Sequence, residues 1–182
     1  MTGRIIKSTG SWYFVQEESG NVLHARIRGK FRLENIQHTN PVAVGDLVDY
    51  EVDKDGVAII TKIHERKNYI IRRSVNLSKK THIIASNIDR VFLVVTVNSP
   101  KTSYGFIDRF LITAEAYHIP ATLIFNKMDT YSDEQLKLVK EYQSVYEPIR
   151  YKTIEVSALT GFNLDELKSE LKGITSLISG HS

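Results

Sequence analysis

The stretch ATLIFNKMD, residues 121–129, decides the fold of the second half of this 182-residue chain. Its first five residues form an apolar run of the kind found in strands that are buried on both faces of a parallel sheet. Asn126, Lys127 and Asp129 follow directly after this run. Open α/β sheets bind their ligands where the carboxyl ends of parallel strands meet. The stretch therefore predicts a parallel sheet with a ligand site at its edge.

Strands and helices alternate on both sides of this stretch. The predicted strands are the apolar runs DRVFLVVTV, ATLIF, KTIEVS and TSLIS. Apolar residues at spacings of three and four predict helices over residues 106–118, 133–147 and 164–172. We therefore expect an α/β domain in which helices cover a parallel sheet.

Two of these helices begin at residues suited to capping. Ser132 is followed three positions later by Gln135, and Asn163 is followed at the same spacing by Glu166. A short polar side chain at such a position accepts a hydrogen bond from a free backbone N–H of the first turn. The spacing predicts a side-chain cap at both helix starts.

The first 63 residues have a different pattern, in which short strands are separated by turns. One predicted hairpin is SWYFVQ, EESGN and VLHARIRG, and a second is GDLVDYEV, DKDG and VAIITKI. Short strands without a convincing helix are typical of a five-stranded barrel of the oligonucleotide-binding (OB) type. Residues 64–82 lose this periodicity and gain positive charge, so we interpret them as a basic connector. We place the barrel domain at residues 1–68 and the α/β domain at residues 69–182.

Composition narrows the possible functions. Residues 1–80 contain 14 Lys or Arg and 9 Asp or Glu, a net charge of +5, whereas residues 81–182 contain 10 and 12, a net charge of −2. This asymmetry favours a polyanionic partner for the first half, although ordinary surface scatter gives the same numbers. The chain has no cysteine, its six histidines are scattered, and its longest apolar run is too short for a bilayer. We expect a cytoplasmic protein without a membrane role or a metal site in these residues.

The side chains after the strand ATLIF suit recognition of a guanine base. The carboxylate of Asp129 can accept two hydrogen bonds, from the ring N–H and the exocyclic amine of guanine, which adenine cannot offer. The amide of Asn126 can tie the loop or reach the ring, and the aliphatic part of Lys127 can cover the base. We assign Met128 to the same site. An N-K-x-D match arises by chance in about 3% of chains of this length, so an ordinary turn is the alternative.

A second motif follows at the end of the next predicted strand. Ser157 and Ala158 lie at the start of the stretch SALTG, again at the carboxyl edge of the sheet and before a helix. Small residues there allow backbone N–H groups to approach a carbonyl oxygen such as guanine O6. The two motifs together indicate a guanine site more strongly than either does alone.

A guanine site also needs a phosphate site, and the usual G-x-x-x-x-G-K-[ST] loop does not precede Asn126. The chain instead ends with the predicted strand TSLIS, followed by Gly180, His181 and Ser182. We interpret these three residues as the start of a phosphate-binding loop. On this interpretation the order of the motifs is permuted and the loop is cut.

Several segments together carry a resemblance to a known family. They are RIRGKFR (26–32), IASNIDRV (84–91), NKMD (126–129), SALTG (157–161) and the terminal SGHS (179–182). Over its whole length the chain resembles the ribosome small-subunit-dependent GTPase A family, bacterial GTPases with a circularly permuted G domain. The resemblance implies a partial P-loop GTPase domain, binding to the small ribosomal subunit and its rRNA, GTP hydrolysis stimulated by that subunit, and release of late assembly factors.

The resemblance also implies parts that these residues lack. The family's phosphate-loop Lys and Ser/Thr, its two switch segments and its carboxy-terminal zinc-binding domain have no counterpart here. GTP or GDP with Mg²⁺ is therefore expected in the whole protein, and zinc only in the missing domain. We assign no catalytic residue within the chain and expect it not to hydrolyse GTP by itself.

Basic residues of the first half are candidates for RNA binding. Arg26, Arg28, Lys30 and Arg32 alternate along one predicted strand, and Arg72 and Arg73 extend the charge into the connector with Lys79 and Lys80. A solvated edge strand protected by charges is the alternative. We interpret Trp12, Tyr13 and Phe14 as core and barrel-face aromatics. The competing function is a stand-alone RNA-binding module with a degenerate nucleotide domain.

Overall fold

A computed structural model describes residues 1–27, 41–73 and 81–181 of the chain. The chain divides into two compact units, Met1–Asn87 and Ile88–Ser182, which are described separately. This division falls later than the predicted boundary after residue 68. Residues 69–87 belong to the first unit, because buried polar contacts join them to the barrel.

The first unit contains the predicted five-stranded barrel. The strands are β1 (Thr2–Ser8), β2 (Tyr13–Gln16), β3 (Val22–Ile27), β4 (Leu47–Val52) and β5 (Ala58–Ile63). They close in the order β1-β2-β3-β5-β4, with β3 and β5 parallel and the other pairs antiparallel. Both predicted hairpins are present, as β2–β3 and β4–β5.

Alternation of side chains along the strands fills the interior of the barrel. Its core comprises the buried residues Ile5, Tyr13, Val15, Ala25, Val42, Val48, Tyr50, Ala58 and Ile60. Strand residues alternate between the two faces of a sheet, so every second side chain points into the closed barrel. The residues between them are left on the outer surface.

Two further strands follow the barrel within the first unit. They are β6 (Tyr69–Arg73) and β7 (Thr81–Ser86), and they pair as an antiparallel hairpin. The segment 64–82, which we interpreted as a basic connector, therefore contains β6 and the start of β7. A register shift between Ile70 and Ile71 breaks the alternation of the strand, which is why its period is not visible in the sequence.

A buried carboxylate joins this hairpin to the barrel. Asp46 is fully buried and accepts two hydrogen bonds from Arg66, one on each carboxylate oxygen and each 2.7 Å long. It also accepts bonds from the Ser86 hydroxyl at 2.5 Å and from the Ala43 N–H at 2.9 Å. At Gly45 a Cβ atom would lie 2.0 Å from the carbonyl oxygen of Ser86. The hairpin therefore packs too closely to the barrel to belong to another domain.

The second unit is the predicted α/β domain. Its strands are β8 (Arg90–Val95), β9 (Ala121–Phe125), β10 (Lys152–Glu155) and β11 (Ser176–Gly180). Its helices are α1 (Tyr104–Ala116), α2 (Asp133–Tyr146) and α3 (Leu164–Leu171), with a 3₁₀ turn at Met128–Thr130. The sheet is parallel throughout, in the order β10-β9-β8-β11. Within the described ranges no helix is long and apolar enough to cross a membrane.

Helices cover both faces of this sheet. Helices α1 and α2 pack on one face, where Ile107 and Val139 contact a cluster that includes Leu123. Helix α3 packs on the other face, where Leu167 contacts a cluster that includes Ile124. The chain runs outward from β8 to β10 and then returns to place β11 on the opposite side of β8. Such a reversal of strand order opens a crevice at the carboxyl ends of β8 and β11, between which the order reverses.

The two predicted helix caps have different outcomes. Ser132 and Gln135 form the predicted reciprocal capping box at the start of α2. Asn163 precedes α3, but its backbone is left-handed and its side chain makes no capping hydrogen bond. Its amide instead donates to the carbonyl oxygen of Glu155 at 3.1 Å and to Glu166 at 2.8 Å. The second cap is therefore wrong, because the amide is used to hold the preceding loop.

Candidate functional site

The parallel sheet brings the predicted site segments to one edge. Asn126 follows β9, Ser157 follows β10, and Gly180 ends β11, with all three strands running in the same direction. The loop after β8 lies at the same edge, since β8 pairs with both β9 and β11. The two predicted base-recognition motifs and the start of the predicted phosphate loop are therefore at the carboxyl ends of neighbouring strands.

The side chain of Asn126 connects the two base-recognition loops. Its Oδ1 accepts a hydrogen bond from the N–H of Lys127 at 2.8 Å and another from the N–H of Ala158 at 3.0 Å. The first bond holds its own loop and the second reaches across 32 residues of sequence to the loop after β10. Asn126 therefore occupies a linking position, which is one of the two roles that the sequence left open for it.

A second link joins the same loops through a hydroxyl and a carboxylate. The Ser157 hydroxyl donates to Oδ1 of Asp129 and accepts from the N–H of Thr160 at 3.1 Å. Ser157 is buried, whereas Asp129 is exposed. Within the described part of the chain the other carboxylate oxygen of Asp129 has no hydrogen-bond partner. The carboxylate is thus held in orientation by one oxygen while the other remains available to a ligand.

The remaining residues of the first motif have distinct surroundings. Lys127 has a left-handed backbone, and its Nζ donates to the carbonyl oxygen of Ser99 in the loop after β8, at 2.5 Å. This contact extends the aliphatic part of the Lys127 side chain along the sheet edge. Met128 is half-buried and packs against the apolar core, and its N–H donates to the carbonyl oxygen of Val156 at 3.2 Å. The contacts of Met128 support the loop.

Tyr131 belongs to the site although nothing in the sequence singled it out. Its hydroxyl donates to the carbonyl oxygen of Asn126 at 2.7 Å and accepts from the N–H of Val97 at 3.1 Å. Burial raises the pKa of this phenol above its ordinary value, with the charge of Asp129 acting in the same direction. The neutral hydroxyl therefore joins the loop after β8 to the loop after β9.

The start of the predicted phosphate loop lies beside β8. Gly180 pairs with Val94, and a Cβ atom on Gly180 would lie 3.2 Å from the Cβ of Val94. A larger residue would thus crowd the neighbouring strand. The ring of His181 lies 5.3 Å from that of Phe106, measured between centroids. Ser182 lies outside the described residues.

The predicted RNA-binding residues are only partly described. Arg26 is exposed on the outer face of β3 and forms an ion pair with Asp53 at 3.1 Å. Hydrogen bonds from the N–H of Val57 and, secondarily, the charge of Arg26 lower the pKa of Asp53. The backbones of Arg72 and Arg73 lie in β6. The other predicted residues lie outside the described ranges: Arg28, Lys30, Arg32, Lys79 and Lys80.

Comparison with known families agrees with this arrangement. The model of the family described as RsgA GTPase matches residues 63–182, and that of the RsgA N-terminal domain matches residues 2–60. A small ribosomal subunit biogenesis GTPase RsgA from Christiangramia forsetii is 55% identical, covering 100% of this chain and 59% of the relative. A relative of the same name from Bacteroides fragilis is 50% identical, covering 100% and 59%. The chain therefore spans less than two thirds of the length of these relatives.

Solved structures show the same fold. The crystal structure described as YjeQ from Thermotoga maritima has a TM-score of 0.80 and 35% identity, covering 100% of this chain and 60% of that one. A second structure, described as YloQ, a circularly permuted GTPase, has a TM-score of 0.74, 29% identity and the same coverage. The fold and the order of its motifs thus define the class of protein, in which an OB-type barrel is followed in sequence by a circularly permuted GTPase domain.

The family follows from these matches. The chain belongs to the RsgA GTPase family, since the two family models together match nearly all of its residues. This confirms the resemblance given by the motifs in the sequence. The match to the N-terminal domain model ends at residue 60, within β5, and the match to the GTPase model begins at residue 63, the last residue of that strand.

Replacing Tyr131 by Phe tests the link between the strand-end loops. The change removes the hydroxyl and leaves the N–H of Val97 and the carbonyl of Asn126 without their partner. An unsatisfied buried polar group costs about 1–3 kcal/mol. We expect the free energy of opening at the Val97 amide to fall by that amount, as measured by native-state hydrogen exchange.

Tyr104→Phe is the matched control. The Tyr104 ring stacks on Tyr142 with centroids 4.1 Å apart, and its hydroxyl has no hydrogen-bond partner in the described part of the chain. This variant should leave the exchange of Val97 unchanged. Equal effects of the two substitutions would show that the Tyr131 hydroxyl does not hold the loops together.

Proposed function

We propose that this chain supplies the RNA-binding barrel and the guanine-recognition part of a cytoplasmic GTPase that acts in maturation of the small ribosomal subunit. The observation that best supports this proposal is the pair of hydrogen bonds between the two loops, which join Asn126 to Ala158 and Ser157 to Asp129. These bonds fix the Asp129 carboxylate and the loop of Ser157 and Ala158 side by side before any ligand binds. Preformed geometry of this kind lowers the cost of binding.

The arrangement suits the hydrogen-bonding edge of guanine. The carboxylate of Asp129 accepts from the ring N–H and the exocyclic amine, which gives two charge-assisted hydrogen bonds. The loop at Ser157 and Ala158 lies beside this carboxylate. The N–H of Ser157 donates to the carbonyl oxygen of Phe162 at 3.1 Å and that of Ala158 donates to Asn126, so either group must exchange its partner to bind O6. The Lys127 side chain, extended towards Ser99, covers one face of the base. Adenine presents no matching pair of donors to the carboxylate, so the site selects guanine.

The phosphates and Mg²⁺ of GTP lie beyond the base site. Gly180, His181 and Ser182 begin the phosphate loop at the end of β11, next to the crevice between β8 and β11. In the described ranges no three His, Asp or Glu side chains converge on a possible metal site. The family resemblance implies that the whole protein binds Mg²⁺ with GTP or GDP and holds zinc in a carboxy-terminal domain. Residues 1–182 include no phosphate-loop Lys and no switch segment, so this chain alone does not hydrolyse GTP.

A titration with fluorescently labelled GDP tests this division of the site. One sample is the 182-residue chain. The other is a version continued past Ser182 with the phosphate loop and switch segments of the Christiangramia forsetii relative. We expect tight, guanine-specific binding and GTP turnover only in the continued version, because phosphate contacts supply most of the affinity.

Each other outcome of this titration has a definite meaning. GTP turnover by the 182-residue chain above the buffer rate would contradict the proposed inactivity. Equal binding of GDP and ADP by the continued version would contradict guanine recognition by Asn126 and Asp129. Absence of binding to both versions would leave the RNA-binding module with a degenerate nucleotide domain as the function.

We also infer that the barrel binds ribosomal RNA through the basic segment that starts at Arg26. Three observations support this: the barrel architecture, the exposed position of Arg26 on β3, and the net charge of +5 over residues 1–80. Arg72 and Arg73 lie in the same unit, on β6, and would extend the segment. The ion pair with Asp53 leaves Arg26 able to exchange its partner for a phosphate, because both groups are at the surface.

Removing the four barrel cations tests the RNA interaction. The variant carries Arg26→Ala, Arg28→Ala, Lys30→Ala and Arg32→Ala. We expect weaker binding to 16S rRNA fragments and a salt slope smaller by roughly 3, since each lost phosphate contact on a single strand contributes about 0.7. The control removes four exposed cations of the second unit: Lys137, Lys140, Lys168 and Lys172. Equal losses in the two variants, measured by fluorescence anisotropy, would contradict a specific role for the barrel segment.

A further inference from the structure

A row of aromatic and basic side chains crosses the outer face of three barrel strands. Lys7 on β1 lies opposite Phe14 on β2, which in turn lies opposite His24 on β3. The Nζ of Lys7 is 5.1 Å from the centroid of the Phe14 ring, and the Phe14 and His24 centroids are 4.6 Å apart. Trp12 adds a fourth member, with its ring centroid 6.4 Å from that of His24. We call these four residues the aromatic row.

The aromatic row is not part of the core of the barrel. Tyr13 and Val15 alternate with its members along β2 and are 2% and 0% exposed, so they fill the interior. Trp12 is 42% exposed, and His24 is exposed as well. Of the three residues interpreted as core and barrel-face aromatics, Tyr13 lies in the core, and Trp12 and Phe14 lie on the outer face. Only Tyr13 stabilises the core.

A β-bulge turns Lys7 towards the row. The register of β1 against β2 shifts between Ile5, which is buried, and Lys7, which is exposed. Without this shift, the two-residue alternation of the strand would point Lys7 into the barrel along with Ile5. Bulges often redirect a side chain at a functional position. The bulge here places a cation against the face of an aromatic ring.

The backbone of Trp12 is fixed by the turn that precedes it. Its carbonyl oxygen accepts from the N–H of Thr9 at 2.9 Å and from the Thr9 hydroxyl at 3.2 Å. Gly10 in the same turn has φ +87°, which a residue with a side chain seldom adopts. The indole ring is therefore presented on a short, closed turn. A backbone held in this way loses little conformational freedom when a ligand binds.

We propose that the aromatic row is a stacking platform for an unpaired base of RNA. The exposed face of the Trp12 ring receives the base, and the His24 ring, inclined at 70° to the indole, contacts the edge of the stacked base. Phe14 supports the His24 ring. Lys7, and Arg26 two residues after His24 on the same outer face of β3, attract the flanking phosphates. Barrels of this type bind single-stranded oligonucleotides across the same strands, by stacking and phosphate contacts together.

The chemistry of the row favours RNA over a protein partner. Lys7 lies against the Phe14 ring, and the first 80 residues of the chain carry a net charge of +5. Stacking requires a base whose face is open, which excludes the interior of a duplex. The proposal rests on the RNA-binding function of the barrel, and is independent of guanine recognition in the second unit.

Trp12 makes the platform directly measurable, because it is the single tryptophan of the chain. The probe is an unstructured RNA of about ten nucleotides, the scale of one barrel's binding site. Its binding to the full chain is followed by anisotropy of an end label, and the fluorescence of Trp12 is recorded with unlabelled RNA. We expect Trp12 fluorescence to be quenched with the same dissociation constant as the anisotropy change.

Three further samples separate stacking from charge. An abasic oligonucleotide of the same length should bind more weakly and leave Trp12 fluorescence unchanged. Trp12→Ala should lower affinity about tenfold, while Trp12→Tyr, which keeps an aromatic face, should retain most of it. Val22→Ala is the matched control, since Val22 is 45% exposed on the same strand as His24 but lies outside the row. It should bind RNA as the unchanged chain does.

The outcomes distinguish failure of the platform from failure of RNA binding. If RNA binds while Trp12 fluorescence and the affinity of Trp12→Ala stay unchanged, the platform is wrong and barrel binding by cations stands. If duplex RNA quenches Trp12 as strongly as the single strand, stacking of an unpaired base is excluded. If no RNA binds the chain, both proposals fail, and the row is better explained as a protein-contact surface.

Discussion

The hydrogen bonds of the Asn126 side chain hold the candidate guanine site together. One oxygen accepts from Lys127 in its own loop and from Ala158 in the loop of the neighbouring strand. The Ser157 hydroxyl, bonded to Asp129, repeats the link in the opposite direction. The strands beneath are parallel and adjacent, so these short side chains can reach each other. The arrangement of the candidate site thus depends on strand order first and on residue identity second.

The same strand order explains how a permuted chain assembles one site. β8 lies in the middle of the sheet, and β9 and β11 flank it although they are far apart in sequence. The carboxyl end of β11 therefore reaches the edge at which the base-recognition loops lie. The barrel unit has a comparable organising group in Asp46, whose contacts with Arg66 and Ser86 attach the hairpin β6–β7. In both units, buried or half-buried polar side chains fix elements that distant parts of the sequence supply.

The sequence predicted what depends on local patterns. The apolar runs gave all four strands of the sheet, and the turn spacing gave the closed barrel. The hairpin β6–β7 was missed because the bulge at Ile70 interrupts its alternation. The role of Tyr131 could not be predicted, since its hydroxyl accepts from the backbone N–H of Val97, which is distant in sequence and which no side-chain pattern marks. The outward position of Lys7 could not be predicted either, because the bulge between Ile5 and Lys7 shifts the alternation of β1.

The most direct test of base recognition by Asp129 uses the Asp129→Asn variant of the version continued past Ser182. Its binding of guanine and xanthine nucleotides is compared. An asparagine amide accepts from the ring N–H but donates where guanine also donates, whereas xanthine offers a carbonyl oxygen there. Competition with labelled GDP should show that GDP affinity falls by about 100-fold. The fall is expected because the variant loses a charge-assisted hydrogen bond and sets two donors against each other. Xanthosine diphosphate should become the preferred nucleotide. An unchanged preference for GDP in this variant would show that Asp129 does not read the base.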